Sequence, residues 1–188
     1  QIECRGAGGM KAGVCLGVLL IFCSAGTQSA MAAESVAASD AQVPPDAGQL
    51  LEVAADVTLS GDVDLMEIVH RYPDGVLYID LRTPAEEGVA YTRDEALRLG
   101  MRYEDIPVAG PVIDAGKLAK LEKLLGERSR FQHTVLRCGS GNRAAMMWGA
   151  VRVDAGDELD TVLEDLAPIM TKPPVSEALK NYADSDNR

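Results

Sequence analysis

The sequence predicts an α/β fold in three layers, with a mostly parallel sheet covered by helices on both faces. Short runs rich in Val, Leu and Ile alternate with longer segments whose apolar residues recur every three or four positions. Such alternation is typical of strands and helices that follow each other along a chain. Residues 76–81 are apolar at almost every position, as expected of a strand that is buried on both faces.

The predicted elements follow in order along the second half of the chain. Predicted strands cover residues 57–59, 76–81, 102–108 and 133–137. Predicted helices cover residues 62–72, 94–99, 115–127, 142–155, 158–170 and 176–183. Asp114 stands where it can cap the third helix, in which four leucines form one stripe. Ligands of such sheets bind beyond the carboxyl ends of the strands, so we expect a functional site there.

The N-terminal region carries a targeting pattern. Lys11 follows Met10, residues 14–23 form an apolar run, and Ala30-Met-Ala32 has the small-x-small form of a cleavage site. The apolar run is too short for a comfortable membrane span, and no basic residues follow it. We therefore expect residues 1–32 to be an upstream leader and signal peptide with Met10 as the start. This predicts a periplasmic or secreted protein without stable membrane insertion.

The next segment differs in composition from the rest of the chain. Residues 33–56 are rich in Ala, Ser, Asp and Pro, and we expect a flexible linker. The remaining stretch, residues 57–183, has the size of one domain and carries the alternating strands and helices. We expect it to be the catalytic domain.

Charge and histidine content narrow the classes of partner. The net charge is −11, and a protein this acidic is repelled by nucleic acid and by anionic membrane surfaces. Neither His70 nor His133 has a cysteine or carboxylate at ligand spacing, so we expect no metal site. No motif in the sequence calls for another cofactor.

Cleavage after Ala32 would leave one cysteine of the four, Cys138. Exported proteins use cysteines mainly as disulfide pairs, and a lone cysteine cannot pair within its own chain. Cys138 is therefore a small buried hydrophobic residue, an intermolecular link or a reactive thiol.

The surroundings of Cys138 favour the reactive thiol. The stretch Cys138-Gly-Ser-Gly-Asn-Arg143 lies between a predicted strand and a predicted helix. Glycines let a ligand approach the backbone, and amides at a helix start attract anions. The Arg143 fork could hold two oxygens of a tetrahedral anion while the Cys138 thiolate attacks its centre. The predicted anion contacts are Gly139, Ser140, Gly141 and Asn142.

Two alternatives remain for this loop. Cys138 could be a buried residue in an ordinary strand-to-helix turn. Residues 139–144 also match the G-x-G-x-x-A pattern of dinucleotide-binding loops. That pattern belongs to the first strand of a βαβ unit, yet no convincing strand follows residue 155, and no acidic residue ends a later strand.

Asp80 and Arg82 end another predicted strand, close to the expected position of a substrate. We predict that they contact the substrate. The alternative is an ion pair that fixes the following loop.

The loop resembles the C-x4-R loop of rhodanese-like sulfurtransferases and of the related cysteine phosphatases. The chain as a whole is similar to the phosphatase-like domain family attached to beta-lactamase-hydrolase-like proteins. The matching pieces, in the family's order, are Leu59-Ser-Gly61, Tyr78-Ile-Asp-Leu-Arg82 with Pro84-Ala-Glu-Glu87, Gly100-Met-Arg-Tyr103 with Ile106-Pro-Val108, and residues 138–148.

The resemblance implies phosphoester hydrolysis, with Cys138 as the nucleophile that forms a phospho-intermediate and Arg143 as the oxyanion clamp. It also implies a general acid, for which Asp114 lies in about the right loop. Arg137 stands where tyrosine-type phosphatases have histidine, and four residues rather than five separate Cys138 from Arg143. The shorter loop keeps open a sulfurtransferase that forms a persulfide on Cys138, or a non-catalytic anion-binding module. Each hypothesis implies a small oxyanionic, phosphorylated or sulfur-donor partner.

Overall fold

The computed structural model of the chain describes residues 50–186, with side chains for residues 50–185. The expected leader and signal peptide (residues 1–32) and residues 33–49 of the expected linker lie outside the described residues. Among the helices of the described part, none is long and apolar enough to cross a membrane.

In the part of the chain that the structure describes, five strands form one sheet. They are β1 (Leu50–Ala54), β2 (Val57–Ser60), β3 (Val76–Asp80), β4 (Arg102–Asp105) and β5 (His133–Arg137). The strand order is β1-β2-β5-β3-β4. β1 pairs antiparallel with β2, and the other three pairings are parallel. The predicted mostly parallel sheet is therefore confirmed.

Within the described residues, six α-helices cover the sheet. They are α1 (Leu65–Arg71), α2 (Val89–Arg98), α3 (Ala115–Gly126), α4 (Asn142–Asp154), α5 (Leu159–Leu166) and α6 (Pro173–Asp186). A short 3-10 turn, Arg128–Arg130, precedes β5. Apolar residues of α1 and α2 belong to one core cluster, whereas those of α3 to α6 belong to another. The helices thus form two outer layers, and the predicted three-layer α/β fold is confirmed.

The two clusters meet the sheet on opposite faces because side chains alternate along a strand. In β3, Leu77 and Ile79 pack in the cluster with α3 to α6, whereas Val76 and Tyr78 pack in the cluster with α1 and α2. All five residues of the strand are buried. Burial on both faces explains why the strand reads as a continuous apolar run.

The linker prediction is wrong for its last residues. Leu50–Ala54 forms β1, in which Leu51 lies opposite Leu59 of β2. Leu51 and Val53 are partly buried against one core cluster, and Leu50 against the other. The preceding residues are rich in Ala and Pro, and this short apolar segment was therefore assigned to the same linker.

Two helices are longer than predicted. α2 begins at Val89 instead of residue 94, directly after Gly88, whose φ of 74° lies in the left-handed region. Its first turn contains Val, Tyr and Thr, which favour strands, so the sequence signal there was weak. α6 begins at Pro173 instead of residue 176, since proline is well suited to the first position of a helix.

Candidate active site

The cysteine loop lies at the carboxyl edge of the sheet, as predicted. β5 ends at Arg137 and α4 begins at Asn142, so residues 138–141 form the connection. The Cys138 amide donates to the Ser60 carbonyl at the end of β2 (3.1 Å). The Leu81 amide, just past β3, donates to the Arg137 carbonyl (2.8 Å). Two neighbouring strands therefore fix the start of the loop.

The end of the loop requires glycine. Gly141 has a φ of 79°, and a Cβ at this residue would lie 2.4 Å from side-chain atoms of Ile169. The loop also meets the end of β2 through an antiparallel bridge between Gly61 and Ser140. A Cβ on Gly61 would lie 3.3 Å from the Ser140 backbone. Close backbone approach on one side and a buried isoleucine on the other thus define the loop.

The Cys138 thiol is enclosed beside the Arg143 guanidinium. Cys138 is 0% exposed and has no disulfide partner. The hydrogen bond to Glu86 raises the pKa of Arg143, burial opposes this rise, and the charges of Cys138 and Glu86 add to it. The cysteine sulfur therefore lies within electrostatic reach of the guanidinium.

The Arg143 guanidinium is held from two sides. Its Nη1 and Nη2 donate to the two carboxylate oxygens of Glu86, at 2.7 and 2.6 Å. Nη1 also donates to the Val108 carbonyl (2.9 Å). Three of the five N–H donors of an arginine are thereby used. The other two donors, the Nε–H and the second Nη2–H, form one edge of the guanidinium. Within residues 50–185 neither of them donates to an oxygen acceptor. A Cβ on Gly139 would lie 3.7 Å from Nη2, so this edge adjoins the loop.

Glu86 is a functional residue that the sequence analysis missed. The hydrogen bond from Arg143 lowers the pKa of Glu86 to about 2, against the opposing effect of burial, and a bond from the Thr83 amide (2.7 Å) helps. The Glu86 carboxylate is therefore charged throughout the neutral range. The signal that could have located it is the Thr83-x-x-Glu86 spacing, which is typical of a capping box.

Asn142 anchors the loop. Its side chain is buried, and its Oδ1 accepts from the Lys172 amide (2.8 Å). Its Nδ2 lies 3.4 Å from the Ser140 carbonyl and from the Thr171 hydroxyl. The Asn142 side chain thus connects the loop to the segment before α6. Asn142, Gly139, Ser140 and Gly141 were predicted to contact the substrate. These contacts would be made by backbone amides, and they stay predictions.

Asp80 and Arg82 form a buried ion pair. The Arg82 Nη2 lies 2.7 Å from an Asp80 carboxylate oxygen, and the Arg82 amide and Nε also donate to Asp80. The Arg82 Nη1 donates to the Glu87 carbonyl (3.1 Å). The pair therefore fixes the loop that carries Glu86, which is the alternative role considered for it. Direct substrate contact by Asp80 or Arg82 stays a prediction.

Arg137, which precedes Cys138, donates from its Nε to the Cys138 carbonyl (3.4 Å), and the two Nη atoms project away from the loop. Its guanidinium is buried between the sheet and the helices α1 and α2, where Nη2 lies 2.5 Å from Asp62 Oδ1 and Nη1 lies 3.3 Å from the Thr92 hydroxyl. Because side chains alternate along β5, Arg137 and Cys138 lie on opposite faces of the sheet. Arg137 thus supports α2 rather than the anion.

Asp114 caps helix α3. Its Oδ1 accepts from the Lys117 amide (3.0 Å), and its side chain is exposed. This is its structural role, and its assignment as general acid stays a prediction. In the described part of the chain, no group of three or more His, Cys, Asp or Glu residues is arranged to hold a metal ion.

Comparisons with known proteins support the fold. No protein-family model and no curated protein sequence matches the chain. Among solved structures, Tk-PTP in its active form is similar with 17% identity and a TM-score of 0.59, over 72% of this chain and 96% of that one. The catalytic core of Siw14 is similar with 10% identity and a TM-score of 0.56, over 72% and 82% of the two chains. TpbA of P. aeruginosa, solved in complex with pTyr, is similar with 15% identity and a TM-score of 0.55, over 77% and 94%. The chain therefore has the fold of cysteine phosphatase-like proteins.

Proposed function

We propose that the protein is a cysteine-dependent phosphatase that hydrolyses small phosphomonoesters. The observation that carries this proposal is the Arg143 guanidinium, which Glu86 and the Val108 carbonyl hold beside the Cys138 thiol and the loop at residues 138–142. A phosphoryl group has several oxygens, which loop amides and the arginine fork can bind together while sulfur reaches the phosphorus.

The proposed reaction has two steps. In the first step the Cys138 thiolate attacks phosphorus, an S–P bond forms and the P–O bond to the organic group breaks. The leaving oxygen takes a proton from a general acid, for which we propose Asp114. In the second step water attacks phosphorus and gives one proton to the Asp114 carboxylate, the S–P bond breaks, and inorganic phosphate and the thiolate are released. Arg143 and the loop amides stabilise the charge on the phosphoryl oxygens in both steps.

The compared proteins support phosphomonoesters as the substrate class. Tk-PTP and Siw14 share the fold, and TpbA has been solved with pTyr, which carries an aryl phosphate. At sequence identities of 10–17%, the similarity shows a shared fold and does not show a shared substrate. The substrate class of this chain therefore requires a direct test.

The test is turnover of p-nitrophenyl phosphate beside turnover of thiosulfate with cyanide. We expect phosphate release by the wild-type protein and none by Cys138→Ser, since a serine hydroxyl has no neighbouring base to activate it. Arg143→Ala should lower kcat/KM by about a hundredfold or more, the scale for removal of one oxyanion donor. Arg98→Ala removes an exposed helix arginine that pairs with Glu95, and it serves as the matched control.

Each outcome of this test has a distinct meaning. Thiocyanate formation without phosphate release would replace the phosphatase by a sulfurtransferase. Neither activity, combined with phosphate protection of Cys138 against alkylation, would indicate an anion-binding module. A Cys138 thiol that reacts only after denaturation would contradict both enzymatic hypotheses.

We also propose that the protein is exported. Support comes from the sequence pattern of residues 10–32, with its basic start, apolar run and small-x-small site. The intact mass of the protein recovered from the periplasm or medium should correspond to a chain that begins at Ala33. Recovery in the membrane fraction of a chain that retains residues 10–32 would contradict export with cleavage.

A further inference from the structure

A cavity of about 450 Å³ adjoins the anion loop on the side of Arg143. Its inner wall consists of the loop residues Ser140, Asn142 and Arg143. Its outer walls are residues 110–111 before α3 and residues 172–175 at the start of α6. The proposed chemistry uses the loop but not these outer walls. A phosphoryl group on the loop would thus have its organic part beside this space, the Lys172 cavity.

Both outer walls are hydrogen-bonded to the loop. The Asn142 Oδ1 accepts from the Lys172 amide (2.8 Å), and the Arg143 Nη1 donates to the Val108 carbonyl (2.9 Å), two residues before Gly110. Proline has a fixed φ, and three prolines stand in the two outer walls. The distance between the anion loop and the outer walls is therefore set before a ligand arrives, which lowers the entropic cost of binding.

The lining of the Lys172 cavity combines apolar surface with positive charge. Prolines and Val175 supply the apolar surface, and Arg143 and Lys172 supply the charges. No aspartate or glutamate lines the cavity, although the chain has a net charge of −11. Within residues 50–185 no carboxylate forms an ion pair with the exposed Lys172 ammonium. An apolar group that carries an acidic substituent would complement both features.

We infer that the Lys172 cavity binds the organic part of the substrate and selects phosphomonoesters whose apolar body carries a second acidic group. This inference rests on the proposed function, since it assumes that a phosphoryl group occupies the loop. The second acidic group pairs with the Lys172 ammonium, and the apolar body packs against the prolines and Val175. The preferred substrate is then an anion at both ends, and cationic organic groups are rejected.

Three non-hydrolysable probes separate the contributions of the phosphoryl group, the apolar body and the second acidic group to binding. They are inorganic phosphate, phenylphosphonate and 4-carboxyphenylphosphonate. The readout is protection of Cys138 against alkylation, quantified on the Cys138 peptide by mass spectrometry. Phenylphosphonate should bind about tenfold more tightly than phosphate, and 4-carboxyphenylphosphonate should bind severalfold more tightly than phenylphosphonate. Lys172→Gln should abolish the second gain. It removes only the side-chain charge, because the backbone amide that bonds to Asn142 remains.

Lys180→Gln is the matched control, since it removes an exposed lysine from α6 that does not line the cavity. Equal affinity of the wild-type protein for all three probes would overturn the inference while leaving the proposed function intact. An equal loss of the carboxylate gain in Lys172→Gln and Lys180→Gln would overturn the role of Lys172. If phosphate itself gives no protection and no turnover occurs, the proposed function fails and the inference falls with it.

Discussion

At the scale of single residues, Glu86 determines how Arg143 can act. A guanidinium on a flexible side chain can turn any of its edges toward an anion. The Glu86 carboxylate binds the Nη1–Nη2 edge, and the Val108 carbonyl binds the outer side of Nη1. Within residues 50–185 the Nε–Nη2 edge donates to no oxygen acceptor, and the Cys138 thiol lies beside the guanidinium. We therefore propose that Glu86 is a positioning residue, which acts on a bound anion through Arg143.

Replacement of Glu86 should therefore lower kcat/KM more than the loss of one negative charge at a neighbouring exposed position. In Glu86→Ala we expect kcat/KM for an aryl phosphate to fall by about a hundredfold, the scale associated with misplacement of a catalytic group by 1 Å. Glu86→Gln should restore part of the loss, because its amide oxygen still accepts one hydrogen bond. Glu87→Gln changes the same charge at the neighbouring exposed position and should leave kcat/KM near the wild-type value. Equal effects of the Glu86 and Glu87 substitutions would show that only overall charge matters.

The lowered pKa of Glu86 makes a separate prediction about stability and pH. The pKa is about 2 in the folded protein, below the ordinary value of 4.5, because Arg143 stabilises the charged form. The pair thus stabilises the fold fully above the ordinary pKa, and this contribution is lost as pH falls from there through about 2. The difference in free energy of unfolding between wild type and Glu86→Ala should be constant from pH 5 to 8, by the same linkage. Urea titrations at several pH values would measure it, and a difference that shrinks as pH falls from 8 to 6 would contradict the assigned pKa.

The proximity of Cys138 and Arg143 could be predicted from sequence because both belong to one short loop. Cys138 and Arg143 are separated by four residues, and the glycines between them mark the bend. Glu86 lies 57 positions before Arg143, and only the folded sheet brings them together. Asp80 and Arg82 were located at the correct strand end, but their mutual pairing depends on side-chain rotamers that the sequence does not specify.

At the scale of secondary-structure elements, the start of α4 is the critical junction. Gly141 combines a left-handed φ of 79° with a position against the buried Ile169. Gly141→Ala should lower the free energy of unfolding by about 2 to 4 kcal/mol, since backbone strain and overpacking add. Gly156→Ala is the matched control, because Gly156 has a φ of 96° but open space around it. This control should cost about 1 kcal/mol, from strain alone.

Equilibrium urea unfolding of the two variants would measure both contributions, the backbone strain and the overpacking against Ile169. The Gly141 variant should also lose phosphate protection of Cys138, because a displaced α4 moves the loop amides. Equal destabilisation of the two variants would mean that Ile169 yields without cost and that only the φ angle matters.

Elements with strong periodicity were predicted, and those with weak local signals were not. β5 and the start of α4 lie where the sequence placed them, and α3 ends within one residue of its predicted end. The first turn of α2 was missed because its residues favour strands, and its buried residue, Thr92, bonds to the distant Arg137 of β5. β1 was missed because pairing with β2, rather than its composition, makes it a strand.

At the scale of the whole molecule, β1 closes one edge of the sheet. Without it, the outer edge of β2 would present unpaired N–H and C=O groups, and such edges promote association with other chains. β2 also supplies Ser60, whose carbonyl accepts from the Cys138 amide. The edge strand therefore supports the cysteine loop through one intervening strand, although it contains no residue of the site.

A truncation tests this support. A chain that begins at Asp56 loses Leu50–Ala54 but keeps the Asp56 carbonyl that accepts from Thr134 and the ion pair of Asp56 with Arg128. Loss of four partly buried apolar side chains should reduce the free energy of unfolding by about 2 to 4 kcal/mol. Size-exclusion chromatography should also show self-association through the exposed edge of β2. A chain that begins at residue 45 retains β1 and is the control.

The truncated chain should further lose part of its phosphate protection of Cys138, because the end of β2 becomes less rigid. The three effects have different causes. Self-association and lower stability follow from the open edge of β2, whereas loss of phosphate protection follows only if β2 positions the cysteine loop. A chain from Asp56 that stays monomeric and unfolds at the same urea concentration as the control would contradict the role of β1 in the fold. If it is destabilised but protects Cys138 normally, the loop depends on β3 and α4 instead of β2.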